Sequence, residues 1–137
     1  TVSLAAATEL LKDWLSDEKV DKDRVYAAGI SMGGYGTWEL ITRHPEWFAA
    51  AVPVCGSGIP SLAERLKNIA IWAMHGEADT TVPPQGTRDM ENAIRAAGGN
   101  IRTTFYPGVG HNSWPQAYSE KELIDWLFAQ KKSGATK

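Results

Sequence analysis

Two patterns of apolar residues alternate along the chain, one at helical spacing and one in short continuous runs. From Leu4 to Leu15 the apolar positions recur at intervals of three and four residues, which predicts a helix with one apolar face. A polar segment follows, and the run 24–30 after it is short, mostly apolar and closed by glycine-rich sequence. Runs of this kind are typical of a strand that is buried on both faces.

The same two patterns continue to the end of the chain. Further apolar runs predict strands at 48–55, 69–76 and 101–108. Helical patterns between the runs predict helices at 33–44, 61–68 and 85–97. A final helix is predicted from a capping box, in which Ser119 is the N-cap and Glu122 lies three residues further along.

The order of these elements predicts an α/β fold. Successive strands are separated by enough residues for a crossover connection, so the strands are expected to be parallel. Helices then cover both faces of the sheet, which gives a three-layer α/β/α arrangement. Ligands of such sheets bind outside the carboxyl ends of the strands, and the candidate functional residues are expected there.

Length, composition and charge narrow the possible functions. With 137 residues, 43% of them hydrophobic, the chain is expected to form one globular domain. The 14 basic and 16 acidic residues are interspersed, so no basic surface is available for a nucleic acid. No apolar stretch approaches the roughly 20 residues of a membrane span. A single cysteine, Cys55, excludes an internal disulfide and a cysteine-rich metal site. We therefore expect no nucleic acid, membrane, metal or cofactor to be involved.

One motif lies between the first predicted strand and the helix after it. Residues 29–33, with the sequence GISMG, fit the pattern G-x-S-x-G. Small residues on either side permit a tight turn that presents the hydroxyl of Ser31 above the sheet. The backbone N–H of Met32, at the start of the helix, can donate to a developing oxyanion. Ser31 is the candidate nucleophile and Met32 the candidate oxyanion donor.

A serine nucleophile needs a base to accept its proton, and the chain has three histidines. His44 ends a predicted helix, and His75 lies at the end of a predicted strand, where a structural hydrogen-bonding role is more typical. His111 lies in a glycine-rich loop after the fourth strand, at the edge of the sheet that carries Ser31. This placement favours His111 as the base.

Two carboxylates just beyond the third strand, Glu77 and Asp79, could orient that base. Either could also be an ordinary loop carboxylate. Asp79 is favoured because the order Ser31, Asp79, His111 then places the three residues at the ends of three different parallel strands. That chain order is characteristic of one class of hydrolases.

The tryptophans are a second group of candidates. Trp14, Trp38 and Trp126 fall on predicted helices and Trp72 in a predicted strand, so core packing is expected for these four. Trp114 lies three residues after the candidate base and could form a wall of a substrate site.

Four segments together resemble the C-terminal half of an α/β-hydrolase. They are GISMGGYGTW, RHPEWFAAAVPVCG, HGEADTTVP and GVGHNSW, in this order along the chain. Within this superfamily the chain is similar to bacterial carboxylesterases of the phospholipase/carboxylesterase or predicted-peptidase type, which are related to dienelactone hydrolases and feruloyl esterases. The resemblance implies that Ser31 is the nucleophile, Asp79 the acid, His111 the base and Met32 an oxyanion donor.

The resemblance also implies an activity and a partner. The implied activity is hydrolysis of small-molecule esters with short acyl or aromatic acid groups; the alternatives are a serine peptidase and a non-catalytic half-domain. The earlier strands of the family, with the loop that supplies a second oxyanion donor, have no counterpart in this sequence. We therefore expect an N-terminal half or self-association to cover the edge of strand 24–30. The cellular location is left open, and the resemblance favours an extracellular or periplasmic one.

Overall fold

The computed structural model describes residues 2–132 of the chain. The helices in this range are α1 (Val2–Ser16), α2 (Met32–Arg43), α3 (Gln85–Ala96), α4 (Trp114–Tyr118) and α5 (Leu123–Ala129). The strands are β1 (Tyr26–Ile30), β2 (Ala50–Val54), β3 (Ala70–Gly76) and β4 (Ile101–Tyr106). Short 3-10 helices span Pro45–Trp47 and Pro60–Leu66.

The sheet confirms the predicted fold class. Its four strands are all parallel and follow the order β1-β2-β3-β4, so β2 and β3 lie inside and β1 is an edge strand. The crossovers through α2 and α3 pack back onto the sheet, whereas the 3-10 helix between β2 and β3 packs against α2 and α3. The carboxyl ends of the strands therefore meet at one edge, where the candidate residues lie.

The core has two parts, one on each face of the sheet. On the first face, α2 and α3 pack onto alternate strand positions, with Trp38, Ile41, Ile71, Met90 and Ile94 almost fully buried. On the second face, α4 and α5 cover the intervening positions, among them Val54, Trp72 and Met74.

Among residues 2–132, no helix combines the length and apolarity needed to cross a membrane.

Helix α1 confirms the predicted element but contradicts the predicted packing of one tryptophan. None of its described residues is buried, and the ring of Trp14 is 61% exposed. The expectation that Trp14 packs in the core is therefore wrong. The reason is that α1 contacts α2 at the margin of the sheet, where Leu11 reaches the core. Trp38 and Trp72 are buried as expected, and Trp126 is half-buried with its ring edge-on to Trp72.

Two local predictions also differ from the structure. The predicted capping box is absent, because α4 ends just before Ser119, whose hydroxyl donates to the carbonyl of Gln116. Glu122 precedes α5 and its carboxylate pairs with Arg102 instead of a backbone N–H. The helix predicted at 61–68 is a 3-10 helix that begins at Pro60.

Candidate active site

The turn that contains Ser31 joins the carboxyl end of β1 to the N-terminus of α2. Ser31 has a φ of 51°, which an L-residue adopts only at a cost of about 1–3 kcal/mol when its surroundings hold it there. Two hydrogen bonds do so: the N–H of Ser31 donates to Val54 at the end of β2, and its carbonyl accepts from Tyr35. The result is a sharp reversal that presents the hydroxyl at the top of the sheet.

The two glycines of the motif play different parts in this turn. A Cβ atom on Gly29 would lie 2.3 Å from the carbonyl oxygen of Gly33, so only glycine permits the close approach of strand and helix. A Cβ atom on Gly33 would meet nothing within 4 Å. The steric requirement of the motif therefore falls on Gly29.

We expect the substitution Gly29→Ala to destabilise the chain by about 1–3 kcal/mol, because the added methyl group collides with backbone rather than with a movable side chain. Gly36→Ala is the matched control, since this residue lies within α2 and its Cβ atom would enter open space. It is expected to raise stability by up to about 1 kcal/mol through helix propensity. Urea denaturation measures both changes; equal stabilities for the two variants would contradict the steric argument.

His111 is brought to the site by the close packing of its loop against the end of β3. The N–H of Ala78 donates to the carbonyl of Val109 at 2.9 Å, which ties the loops after β3 and β4 together. A Cβ atom on Gly76 would lie 2.3 Å from the carbonyl oxygen of Gly110, so a larger residue at position 76 would push this loop away. Sequence reasoning missed the role of Gly76, although its place between the strand and Asp79 offered a signal.

The structure brings Ser31, His111 and Asp79 into one chain of hydrogen bonds. Oγ of Ser31 lies 2.8 Å from Nε2 of His111, and Nδ1 of His111 lies 2.8 Å from Oδ2 of Asp79. An ionised carboxylate can only accept, so Nδ1 carries the hydrogen of a neutral His111. Nε2 then carries no hydrogen and can accept a hydrogen bond from the hydroxyl of Ser31.

Asp79 lies in an environment that keeps it ionised. Its side chain is buried, and burial alone has the largest influence and opposes ionisation. The hydrogen bond from His111, together with N–H donors of Val82 and Thr81 at 2.8 and 2.9 Å, outweighs that effect and lowers the pKa of Asp79. A carboxylate at neutral pH is the form that can hold His111 by Nδ1.

The other candidates for base and acid lie elsewhere. The ring of His44 stacks on Trp47 with centroids 3.9 Å apart, at the far end of α2 from Ser31. Glu77 faces solvent and pairs with Arg88 at 2.7 Å. His75 is fully buried below the loop that carries Asp79.

Two further candidates border the hydrogen-bonded chain. Met32 is the first residue of α2, so its N–H belongs to the first turn, whose N–H groups have no partner within the helix. Its side chain is 86% exposed. The ring of Trp114 stands edge-on to that of His111, with centroids 5.9 Å apart, and also packs on the second face of the core.

Within residues 2–132, no group of three or more His, Cys, Asp or Glu side chains could hold a metal ion.

Several known proteins are similar to this chain. It aligns with a solved thermostable esterase at 39% identity and a TM-score of 0.91, over 96% of this chain and 37% of the esterase chain. It is 29% identical over 108 residues to an Escherichia coli strain K12 protein provisionally named a carboxymethylenebutenolidase, covering 72% of this chain and 40% of that protein. Arabidopsis thaliana SOBER1, at 20% identity and a TM-score of 0.72 over 90% of this chain and 60% of its own, shares the fold.

These matches cover most of this chain but less than half of the thermostable esterase and of the E. coli protein. The chain spans 37% of the thermostable esterase and 40% of the E. coli protein. Within this chain, residues 3–122 fit the dienelactone hydrolase family, and this range includes Ser31, Met32, Asp79, His111 and Trp114. The chain belongs to the dienelactone hydrolase family.

Proposed function

We propose that the chain carries the nucleophile, base and acid of a serine carboxylesterase. The observation that supports this proposal best is the continuous hydrogen bonding from Ser31 through His111 to Asp79, with 2.8 Å at both steps. The strained backbone at Ser31 is a second support, because strain of this kind is retained where function requires it. The 39% identity to a thermostable esterase over 96% of the chain favours ester substrates.

The first half of the proposed reaction forms an acyl-enzyme. Oγ of Ser31 attacks the ester carbonyl carbon while Nε2 of His111 accepts the hydroxyl proton. Asp79 stabilises the resulting imidazolium through Nδ1–H, and the N–H of Met32 donates to the oxyanion of the tetrahedral intermediate. The bond to the alcohol then breaks, and the alcohol leaves with the proton from Nε2.

The second half releases the acid. A water molecule takes the place of the alcohol, and His111 removes its proton as it attacks the acyl carbon. Collapse of the second tetrahedral intermediate returns the proton to Oγ of Ser31 and frees the carboxylic acid. The cycle uses no metal and no cofactor, and every proton moves through Nε2 of His111.

The proposed substrates are esters of short or aromatic acids. The edge-on ring of Trp114 lies beside His111 and offers an apolar wall close to the reacting carbonyl. The exposed side chain of Met32, the residue after Ser31, offers a second apolar surface. A flat aromatic acid or a short acyl chain can pack against such apolar surfaces.

We further propose that the chain works together with additional parallel strands, supplied by an N-terminal half of the same hydrolase domain. The free edge of β1 and the coverage of 37% of the thermostable esterase support this. In the resembled fold, the second oxyanion donor comes from an earlier loop. With one donor missing, turnover is expected to be about 10²–10³-fold below that of a complete enzyme.

The proposal is tested by covalent labelling together with turnover. We expect the chain to bind one equivalent of an alkyl fluorophosphonate at Ser31, found by mass spectrometry of the labelled peptide, because His111 activates this hydroxyl alone. Hydrolysis of p-nitrophenyl acetate should follow, while the matching p-nitroanilide, which a peptidase would cleave, should remain intact. Serines at other positions serve as internal controls. Labelling spread over many serines, or none at Ser31, would contradict the proposal.

A further inference from the structure

We propose that His75 is a positioning residue that, together with Thr87, holds the carboxylate of Asp79 in place beside His111. This inference rests on the proposed function, because the orientation of Asp79 matters for turnover if His111 is the base. His75 is the penultimate residue of β3 and its side chain is 0% exposed. It lies between the loop that carries Asp79 and the first turn of α3.

The contacts of His75 fix where one ring hydrogen lies. Nε2 is 2.8 Å from the carbonyl oxygen of Val82 and 3.3 Å from Oδ2 of Asp79. A carbonyl and an ionised carboxylate can only accept, so Nε2 of His75 carries a hydrogen that points between them. The same Oδ2 accepts from Nδ1 of His111. His75 therefore contacts the very atom that orients the base.

Hydrogen bonds involving Asp79 and His75 tie the two ends of the loop from Asp79 to Val82 together. Oδ1 of Asp79 accepts from the N–H groups of Thr81 and Val82, and the carbonyl of Val82 accepts from His75. Both carboxylate oxygens thus have donors whose positions are set by one short loop and one buried ring. Without His75, the Val82 carbonyl and one side of Oδ2 would lose their buried donor, and the carboxylate could rotate away from His111.

Thr87 in turn fixes the ring of His75. Its Oγ1 lies 2.8 Å from Nδ1 of His75 and 3.0 Å from the carbonyl oxygen of Gly56. The hydroxyl has one hydrogen: with the ring hydrogen of His75 on Nε2, it donates to Nδ1, and the Gly56 carbonyl is the alternative acceptor within reach. Thr87 is 1% exposed, so its hydroxyl is shielded from bulk solvent.

The network continues from Thr87 to the helix that begins at Ser31. A Cβ atom on Gly56 would lie 2.6 Å from the carbonyl carbon of Gly34, so the loop after β2 packs directly on the first turn of α2. The path from His75 through Thr87 and Gly56 to Gly34 joins the loop of the acid to the helix of the nucleophile. The two are held at a fixed separation by buried contacts.

The kinetic test uses the nearly isosteric substitution Thr87→Val, with Thr87→Ser as the conservative variant. We expect Thr87→Val to lower kcat for p-nitrophenyl acetate about ten- to a hundredfold with KM unchanged, because displacement of a catalytic group by about 1 Å has an effect of this size. Thr87→Ser should restore kcat. The matched control is Thr42→Val, which removes a hydroxyl that is also buried but donates to the Trp38 carbonyl, away from the network.

A second readout does not require turnover. In a chain labelled with ¹⁵N-histidine, the hydrogen between Nδ1 of His111 and Asp79 should give a proton resonance far downfield, assigned by its loss in His111→Gln. We expect this resonance to move upfield or broaden in Thr87→Val and in His75→Leu, and to stay unchanged in Thr87→Ser and Thr42→Val. Nε2 of His75 should appear protonated in the parent chain.

The two readouts separate failure of this inference from failure of the proposed function. If hydrolysis depends on Ser31 but Thr87→Val behaves like Thr42→Val in kcat and in the His111 resonance, His75 and Thr87 are merely structural and the inference is overturned. If the parent chain shows no serine-dependent hydrolysis, the proposed function fails, and the resonance still decides whether His75 positions Asp79. An unprotonated Nε2 of His75 would also overturn the inference.

Discussion

A chain with alanine in place of Ser31, or glutamine in place of His111, is expected to lose all ester hydrolysis above the uncatalysed rate. Loss of the nucleophile or the base from a complete serine hydrolase lowers kcat on the order of 10⁶-fold. With Met32 as the one oxyanion donor proposed for this chain, the starting rate is expected to be about 10²–10³-fold lower than in a complete enzyme. Without these residues, a complete enzyme retains only about 10³–10⁴-fold of catalysis over water from its oxyanion hole and binding, so variants with one donor fewer are expected to fall close to the uncatalysed rate.

The way in which the losses of kcat combine tests the assignment more sharply than the size of any single loss. The double variant Ser31→Ala with His111→Gln should be no worse than either single variant, because residues that act as a unit are not additive. Asp79→Asn should leave the fold intact and lower kcat by about 10⁴ in a complete enzyme, since an amide favours the wrong tautomer of His111.

The matched control for His111→Gln is His44→Gln. His44 is half-buried and stacks on Trp47, so the control also removes a ring contact of an imidazole, but at the far end of α2. Turnover measured with p-nitrophenyl acetate should be unaffected by the control. Full activity in His111→Gln, or a loss in His44→Gln of equal size, would contradict the assignment of the base.

The fold could be predicted from the sequence because its strands are short continuous apolar runs with long connections between them. Runs 24–30, 48–55, 69–76 and 101–108 each contain an observed strand, and all four strands are parallel. The packing of α1 could not be predicted in this way. An apolar stripe shows that one face of a helix packs against another apolar surface. Whether that surface belongs to the same chain depends on which strands the chain contains.

The local errors have a different cause. Ser119 and Glu122 have the spacing of a capping box, yet the side chain of Glu122 pairs with Arg102 from β4, 20 residues away in sequence. Ser119 also follows the last residue of α4 and lies four residues before α5 begins, so it is not at the N-terminus of a helix and has no free N–H groups to cap. The network around His75 could not be predicted from the sequence either, because it joins residues from three separate segments that only the tertiary structure brings together.

The candidate residues at positions 31, 79 and 111 could be anticipated because each follows a different predicted strand of one parallel sheet. Their separations of 80 and 32 residues carry no local pattern, so the sheet topology is what places them together. The choice of Asp79 over Glu77 depended on chain order, whereas the structure separates the two by burial: Asp79 faces His111 and Glu77 faces Arg88.

The free edge of β1 leads to the second large prediction. Apolar side chains flank this edge on both faces of the sheet: on one face, Phe128 of α5 is 61% exposed and touches Tyr26 of β1. On the other face, α1 packs against α2 and leaves Trp14 61% exposed. An unpaired parallel strand with exposed apolar neighbours is a site for further strand pairing.

Fusing this chain to the segment that precedes the corresponding serine motif in the thermostable esterase should therefore restore a full enzyme. We expect kcat for p-nitrophenyl acetate to rise about 10²–10³-fold over that of the chain alone, because the added segment brings the second oxyanion donor. The 39% identity and the TM-score of 0.91 over 96% of this chain are the reasons for taking the added segment from that esterase. The same fusion carrying Ser31→Ala is the control that assigns the gained turnover to this chain.

The same fusion is also expected to change association. The chain alone should self-associate as its concentration rises in sedimentation experiments, because β1, Phe128 and Trp14 present an apolar edge to solvent. The chimera should be monomeric, since the added strands pair with β1 and its helices cover those side chains. A chain that is monomeric by itself and already as active as the chimera would overturn the argument, because the chain would then need neither added strands nor a second donor from outside.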